Sequence, residues 1–220
     1  MSLVVLLGTD GAGKSSVATA VVERLRAGGV DANVRWARWQ PFLLRPARAV
    51  VARLWLENRH FARGREEPAE VSEVKRTVVG GNGLLGRAYL LLACLDYWCQ
   101  QVPALMFRRR AQVLLLDRYW YDLLIDACGN APGAEQTAVR LVLGSWRHLF
   151  PAPREVLFLD VSPQVAFARK RGENALPYLE RRVTIYRAVA RALGAERIDA
   201  DQSLEAVVRE ALARVNSTVQ

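Results

Sequence analysis

Cysteine and histidine are scarce in this chain. Three cysteines and two histidines occur among 220 residues. The cysteines, Cys94, Cys99 and Cys128, are odd in number and contain no C-x-x-C spacing, so the sequence indicates neither a disulfide framework nor a zinc site. The two histidines, His60 and His148, lie far apart in the sequence and are not interpreted as metal ligands. Reduced thiols are therefore expected, as in cytosolic proteins.

Long hydrophobic runs are also missing. The longest apolar run near the middle, residues 88–95, is followed directly by Asp96, whereas a membrane-spanning helix needs about 20 predominantly apolar residues. The N-terminus shows neither the basic segment nor the long apolar stretch of a secretory signal. We therefore expect a soluble, cytoplasmic protein with no membrane partner.

Lysine is rare although the chain is basic. Only Lys14, Lys75 and Lys170 are lysines among 31 basic residues, and the net charge is +9. Such a charge suits a phosphorylated small molecule, nucleic acid or an acidic membrane surface as partner. Charge alone does not choose among these three.

Short apolar runs alternate with amphipathic segments along the chain. Runs of β-branched residues and leucine predict strands at residues 3–7, 113–117 and 156–162, with weaker strands near Val34 and Ile198. Helical periodicity predicts helices at residues 16–27, 84–109, 135–149, 178–193 and 204–215. This alternation predicts one α/β domain, with helices on both faces of a parallel sheet in three layers.

A P-loop motif connects the first predicted strand to the first predicted helix. The segment GTDGAGKS matches G-x-x-x-x-G-K-[ST], with Gly8, Gly13, Lys14 and Ser15 at the fixed positions. Backbone N–H groups of such a loop surround phosphate oxygens, and the helix N-terminus adds its positive end. Lys14 is expected to reach the β/γ-phosphates of a bound ligand and Ser15 to bind Mg²⁺. The predicted cofactor-binding residues are Gly8, Asp10, Gly11, Ala12, Gly13, Lys14, Ser15 and Ser16.

Two further segments carry residues suited to phosphoryl transfer. Asp117 ends the strand VLLLD, where open α/β sheets place ligand contacts, and is predicted to hold Mg²⁺ together with Ser15. Arg118 offers a planar fork of donors to phosphate. Arg169 and Arg171 lie in a basic run predicted to belong to a short lid at residues 169–180. The alternatives are a helix-capping aspartate and a solvated basic helix end.

Together these motifs resemble the thymidylate kinase family. The segments GTDGAGKSS, DRY, LFLDVSPQVAFARKRGE and IDADQSLEAV occur in the family's order and at roughly its spacing. The resemblance implies a P-loop kinase fold with a five-stranded parallel sheet and a short lid. It also implies ATP and Mg²⁺ as cofactors, transfer of the γ-phosphoryl to a nucleoside monophosphate, and a homodimer through the middle helix. The catalytic residues that it implies are Lys14, Asp10, Asp117, Arg118, Arg169 and Arg171.

The acceptor half of the resemblance is weaker. The stretch VRWARWQPFLLRP lacks the family's E-P-G-like segment, and Tyr97 stands where the family carries an arginine. Losing a charge-assisted pair costs ~1.5–3 kcal/mol. Arg38, Arg76 or Arg87 could substitute for the missing arginine, and the sequence does not choose among them. Trp39 offers a ring for stacking. The predicted acceptor-binding residues are Arg38, Trp39, Arg76, Tyr97, Arg118 and Tyr119.

Other functions stay open at this point. A kinase of the same fold acting on a sugar or secondary-metabolite hydroxyl would not need the acceptor arginine. A nucleotide-binding module without transfer is a third option, although the chain lacks the N-K-x-D guanine reader of GTPases. Nucleic-acid binding rests on charge alone and is disfavoured. The expected partner is a small-molecule phosphate acceptor.

Overall fold

The computed structural model describes residues 1–40, 42, 84–107, 111–129, 133–171 and 175–219. The described elements are, in chain order, β1 (Ser2–Leu7), α1 (Lys14–Ala27), β2 (Ala32–Trp36), α2 (Leu84–Phe107), β3 (Val113–Asp117), α3 (Trp120–Cys128), α4 (Ala134–Leu143), a 3₁₀ helix (Ser145–Leu149), β4 (Glu155–Asp160), α5 (Pro163–Arg169), α6 (Leu176–Leu193), β5 (Glu196–Asp199) and α7 (Leu204–Val219).

The five strands form one parallel sheet in the order β2-β3-β1-β4-β5. Within it, β1 is central and aligns Leu6 with Asp117 on one side and with Leu157 on the other. All five residues of β3 are buried. Continuous apolar runs such as VLLLD are needed here because helices cover both faces of the sheet.

Two apolar layers enclose the sheet. Leu6 packs in one buried cluster with Val17 of α1 and Val208 of α7. The next residue, Leu7, lies on the opposite face and belongs to a second cluster that includes Val189 of α6. Helices α2, α3 and α4 contribute to this second cluster as well. The expected three-layer α/β fold with five parallel strands is therefore confirmed.

The end of β4 differs from the expectation. A strand was predicted through residue 162, but β4 ends at Asp160. Ser162 instead caps α5, because its Oγ accepts a hydrogen bond from the Val165 backbone N–H at 3.4 Å. Pro163 occupies the first turn, where its missing N–H costs no helical hydrogen bond.

The region between β3 and β4 also differs from the expectation. The helix predicted at residues 135–149 is two elements, because α4 ends at Leu143 and Gly144 adopts an extended conformation before the 3₁₀ helix. Helix α3 was not predicted at all. Seven of its nine residues are buried, and periodicity alone does not distinguish such a short, mostly apolar segment from a buried strand.

The remaining helices follow the expected positions closely. The helix predicted at residues 84–109 is described from Leu84 to Phe107 and continues through Pro103. Among the described helices, none combines the length and the apolar character that crossing a bilayer requires.

Candidate functional site

The candidate site lies where β1 and β3 end side by side. After β1 the chain enters α1 on one face of the sheet, whereas after β3 it enters α3, which packs on the opposite face. The chain segments that follow these neighbouring strands therefore diverge. In open α/β sheets a crevice forms at such a point, outside the carboxyl ends of the strands, and ligands bind there.

The loop after β1 has a backbone that requires glycine. Gly11 has φ +87°, and a Cβ atom at this position would lie 2.7 Å from the carbonyl oxygen of Ala166 in α5. Gly13 has φ +82° and precedes the first residue of α1, whose N-terminus therefore opens directly from the loop. The loop and α5 thus pack backbone against backbone, and the loop leads into a helix N-terminus suited to an anion.

Lys14 is folded back into this loop. Its Nζ donates hydrogen bonds to the carbonyl oxygens of Gly8 at 2.7 Å and Thr9 at 2.8 Å, and the side chain is buried. Burial, and then the nearby Arg118, lower the pKa of Lys14 below its ordinary value. A phosphate in the loop would act in the opposite direction, because a nearby negative charge stabilises the ammonium.

Ser15 and Asp117 meet across the crevice. The Ser15 hydroxyl donates a hydrogen bond to Oδ2 of Asp117. The Asp117 side chain is buried, and its other oxygen, Oδ1, has no hydrogen-bond partner in the described part of the chain. An unsatisfied buried acceptor costs about 1–3 kcal/mol, so this atom suits a ligand that brings positive charge.

The donor set fits Mg²⁺ held jointly with a phosphorylated ligand. Mg²⁺ is usually bound by one or two carboxylates together with substrate phosphates and water. Ser15 and Asp117 provide one hydroxyl and one carboxylate. Within the described ranges, no group of three or more His, Cys, Asp or Glu side chains is arranged to hold a metal ion by itself.

Arg118 begins the loop after β3 in an unusual conformation. It is not glycine, yet its φ is +76°, and such outliers persist at sites where the surroundings over-determine them. Its guanidinium forms an ion pair with Asp10 and lies 3.4 Å from Oδ1 of Asp122. Burial alone would lower the pKa of Arg118, but its neighbours, Asp122 first and then Tyr186 and Asp10, outweigh burial and raise the pKa above its ordinary value. The arginine is therefore held charged at the carboxyl end of β3.

Asp10 and Asp122 differ in their surroundings. For Asp10, burial acts to raise the pKa, but Arg118 and Lys14 outweigh it and the pKa is lowered. For Asp122, which is almost fully enclosed, burial prevails over Arg118 and Lys14 and raises the pKa. Asp122 also accepts hydrogen bonds from the Tyr119 backbone N–H at 3.1 Å and from the Tyr186 hydroxyl at 2.7 Å.

Asp122 was missed as a site residue by reasoning from the sequence. The signal that could have found it is local, because a carboxylate three residues after a helix N-cap reaches back to the N-cap backbone N–H. Tyr119 and Asp122 have this spacing. The contact with Arg118 has no such local signal.

A second buried arginine was missed as well. Arg182 of α6 donates from Nη1 to the Ile125 carbonyl at 3.0 Å and forms an ion pair with Asp126. Its guanidinium lies 5.9 Å from the Tyr178 ring centroid and 5.3 Å from that of Tyr186. These contacts join α6 to α3 beside the site. The helical period could have predicted that Arg182 is buried and Arg181 exposed. Arg182 lies on the same face of α6 as Leu179, Tyr186 and Val189, which are all buried.

The predicted lid residues lie at the end of α5. Arg169 is exposed and its Nη2 donates to the carbonyl of Gln202, in the segment after β5, at 3.3 Å. Arg171 is exposed with φ +51°. Residues 172–174 lie outside the described residues. The role of Arg169 and Arg171 over a nucleotide stays a prediction.

Two predicted acceptor-binding tyrosines lie in the aromatic core. Tyr97 is 0% exposed, and its ring packs edge-on against Phe150 at a centroid distance of 5.7 Å. Tyr119 is 1% exposed, and its hydroxyl donates to the Pro151 carbonyl at 2.6 Å. The structure thus places both side chains away from the exposed surface, and no finding tests their predicted contact with an acceptor.

The segment after β2 is attached to α2 through Asp96. The Trp39 Nε1–H donates to Oδ2 of Asp96 at 3.2 Å, and the backbone N–H of Phe42 donates to the same oxygen at 2.9 Å. Asp96 is completely buried, whereas Arg38 is exposed. Arg76 lies outside the described residues, as does the side chain of Arg87. Trp39, one of the predicted acceptor residues, is therefore hydrogen-bonded to α2 through Asp96.

Comparison with known proteins identifies no family model and no curated relative for this chain. The resemblance to thymidylate kinases therefore rests on the motifs alone. The function has to be argued from the residues that meet at the ends of β1 and β3.

Proposed function

We propose that this protein is an ATP-dependent kinase that uses Mg²⁺ and transfers a phosphoryl group to a nucleoside monophosphate, in the manner of thymidylate kinase. The observation that carries the proposal is the meeting of Lys14, Ser15, Asp117 and Arg118 at the ends of two adjacent parallel strands. Phosphoryl transfer depends mainly on positioning and on stabilising negative charge. These four residues are of the types that supply both.

Each residue of the site has a separate task in this proposal. The amides of the glycine loop and Lys14 hold the phosphates of ATP, and Ser15 and Asp117 hold Mg²⁺. Mg²⁺, when bound, neutralises charge on the transferring phosphates. Arg118 stabilises the charge that spreads over the transferred group, and Asp10 keeps the guanidinium of Arg118 oriented. The adjacent positions of β1 and β3 in the sheet bring these groups together.

The test is an acceptor screen with the full chain. ATP, Mg²⁺ and each nucleoside monophosphate in turn are incubated with protein, and ADP formation is measured. The proposal expects ADP formation that depends on one of the acceptors and on Mg²⁺. Nucleotide binding without transfer to any acceptor would favour a binding module instead.

A hydroxyl acceptor is the second candidate function, and Asp122 favours it. Arg118 is already balanced by two carboxylates, Asp10 and Asp122, which weakens its attraction for a dianionic phosphate monoester. Asp10 is partly exposed and its lowered pKa keeps it charged, so its carboxylate can accept a hydrogen bond from a hydroxyl. Nucleosides and sugars are therefore added to the screen, and turnover with these alone would select this candidate.

A further inference from the structure

A second cleft lies on the sheet face opposite α1. It is formed between α6 and the strands β4 and β5, and its volume is about 380 Å³. Phe158, Ala190 and Ala195 provide an apolar lining. None of the residues that line the cleft belongs to the loop after β1. No role in the proposed phosphoryl transfer uses it.

A buried carboxylate organises two arginines at this cleft. Asp160 is 5% exposed, and its Oδ1 accepts from Nε of Arg187 at 2.8 Å. Its Oδ2 accepts from Nε of Arg197 at 2.7 Å. Because both arginines use Nε, the terminal Nη groups stay available, and within the described residues they have no other ion pair or hydrogen bond. Two guanidinium groups are thus oriented and only partly neutralised.

Arg191 adds a third positive charge to the cleft. It lies one helical turn after Arg187, is exposed, and has no ion pair with a described residue. Strand β5 carries two further carboxylates: Glu196, which pairs with Arg214 of α7 at 3.2 Å, and Asp199, whose Oδ1 accepts from the backbone N–H of Asp201 at 3.0 Å. Three arginines line the cleft, whereas Asp160 is the one carboxylate among the residues that line it. The arginines therefore exceed the carboxylates that face them.

We propose that this cleft binds a small organic anion, in which a carboxylate, sulfonate or phosphate group is attached to a compact aromatic or branched aliphatic body. The guanidinium fork matches the paired oxygens of such groups, and the apolar lining favours a hydrophobic body. The volume falls in the range of about 300–1,000 Å³ typical of small-molecule sites. Arg191 and Arg197 contact the anionic group, and the body lies against Phe158 and Ala195.

The test uses 1-anilinonaphthalene-8-sulfonate, an aromatic sulfonate, as the probe. Isothermal titration of the full chain at low salt is expected to show saturable binding at one site. Arg191→Gln is expected to weaken this binding about tenfold, the loss that one charge-assisted contact of about 1.4 kcal/mol represents. The matched control is Arg181→Gln, since Arg181 is exposed on the same helix but does not line the cleft. It should bind the probe as the wild type does.

Two further experiments test whether the probe binds in this cleft. Ala195→Phe fills the cleft without changing charge and should also weaken binding, with thermal unfolding used to verify that the variant is folded. Saturating MgATP should leave probe binding unchanged, because no residue that lines the cleft belongs to the proposed nucleotide site. Equal weakening by Arg191→Gln and Arg181→Gln would indicate a diffuse basic surface and overturn the proposal. The proposal would also be overturned if Arg191→Gln bound the probe as tightly as the wild type does, or if MgATP abolished probe binding.

Discussion

The hydroxyl of Tyr186 donates a hydrogen bond to Oδ1 of Asp122 at 2.7 Å, and the same oxygen lies 3.4 Å from Nη1 of Arg118. Tyr186 belongs to α6, whereas Arg118 begins the loop after β3. All three side chains are buried. Helix α6 therefore helps to set the position of the arginine that the proposed chemistry uses.

This contact predicts unequal costs for two substitutions. Asp122→Ala leaves Arg118 with only the partly exposed Asp10 as partner and also leaves the Tyr119 N–H and the Tyr186 hydroxyl without their acceptor. We therefore expect the free energy of unfolding to fall by about 3 kcal/mol. Tyr186→Phe removes one hydrogen bond and should cost about 1 kcal/mol. Urea unfolding monitored by circular dichroism measures both. Equal and small losses would show that the Asp122 carboxylate does not stabilise Arg118.

Removing the lysine of the glycine loop separates function from folding. Lys14→Ala is expected to abolish phosphoryl transfer, because the β/γ-phosphates lose their cation. The fold should persist, since the backbone of the loop and its glycines are unchanged. ADP release and thermal unfolding measure the two properties. Arg209→Ala, at an exposed position of α7, is the control and should retain full activity. Persistent activity in Lys14→Ala would contradict the assigned phosphate site.

Asp10 predicts a pH dependence of stability. Because its pKa in the folded protein is lowered from 3.8, the folded state binds fewer protons there than the unfolded state does. Its contribution to stability is therefore present above the ordinary pKa and is lost as the pH falls through the folded-state pKa. Asp10→Asn should be less stable than wild type near neutral pH, and the difference should shrink in acid.

Urea unfolding at several pH values between about 3 and about 7 measures this difference. Asp31→Asn serves as the control, because Asp31 is exposed and lies just before β2, at the amino end of the strands, whereas Asp10 lies at their carboxyl end. A stability difference for Asp10→Asn that stays constant with pH would mean that Arg118 and Lys14 do not lower the pKa of this carboxyl.

Oδ1 of Asp117, which has no hydrogen-bond partner among the described residues, suggests that this carboxylate binds a metal ion. Asp117→Asn keeps the shape of the side chain but removes its charge, so we expect a higher Mg²⁺ concentration to be needed for the same stabilisation by ATP. The measurement is the increase in Tm caused by a fixed ATP concentration during a Mg²⁺ titration. Asp31→Asn should behave like wild type. An unchanged titration for Asp117→Asn would exclude this carboxylate as a ligand.

The contact between Gly11 and α5 predicts a large effect from one methyl group. Gly11→Ala places a Cβ against the Ala166 backbone and also forces alanine into a positive φ, which by itself costs about 1–2 kcal/mol. Gly29→Ala is a matched control, because Gly29 has φ +82° but no atom within 4 Å of the added Cβ. Urea unfolding should show a larger loss for Gly11→Ala, and equal losses would contradict the close packing.

Local patterns were enough to predict most of the architecture. The strands β1 and β3 could be identified because a strand covered on both faces must be a continuous apolar run. The loop from Gly8 to Ser15 could be identified because its glycines and its position between strand and helix are properties of a short segment. The alternation of strands and helices likewise predicted a parallel sheet in three layers.

Contacts between distant segments were decided only in the tertiary structure. The partners of Arg118 come from the loop after β1 and from α3, and Tyr186 is separated from Asp122 by 64 positions in the chain. The same packing put Tyr97 into the aromatic core and oriented Arg187 and Arg197 on Asp160. The sequence by itself determined which segments become strands and where the glycine loop lies, since those depend on neighbouring residues. Which charges face one another was decided by the packing of helices across the sheet.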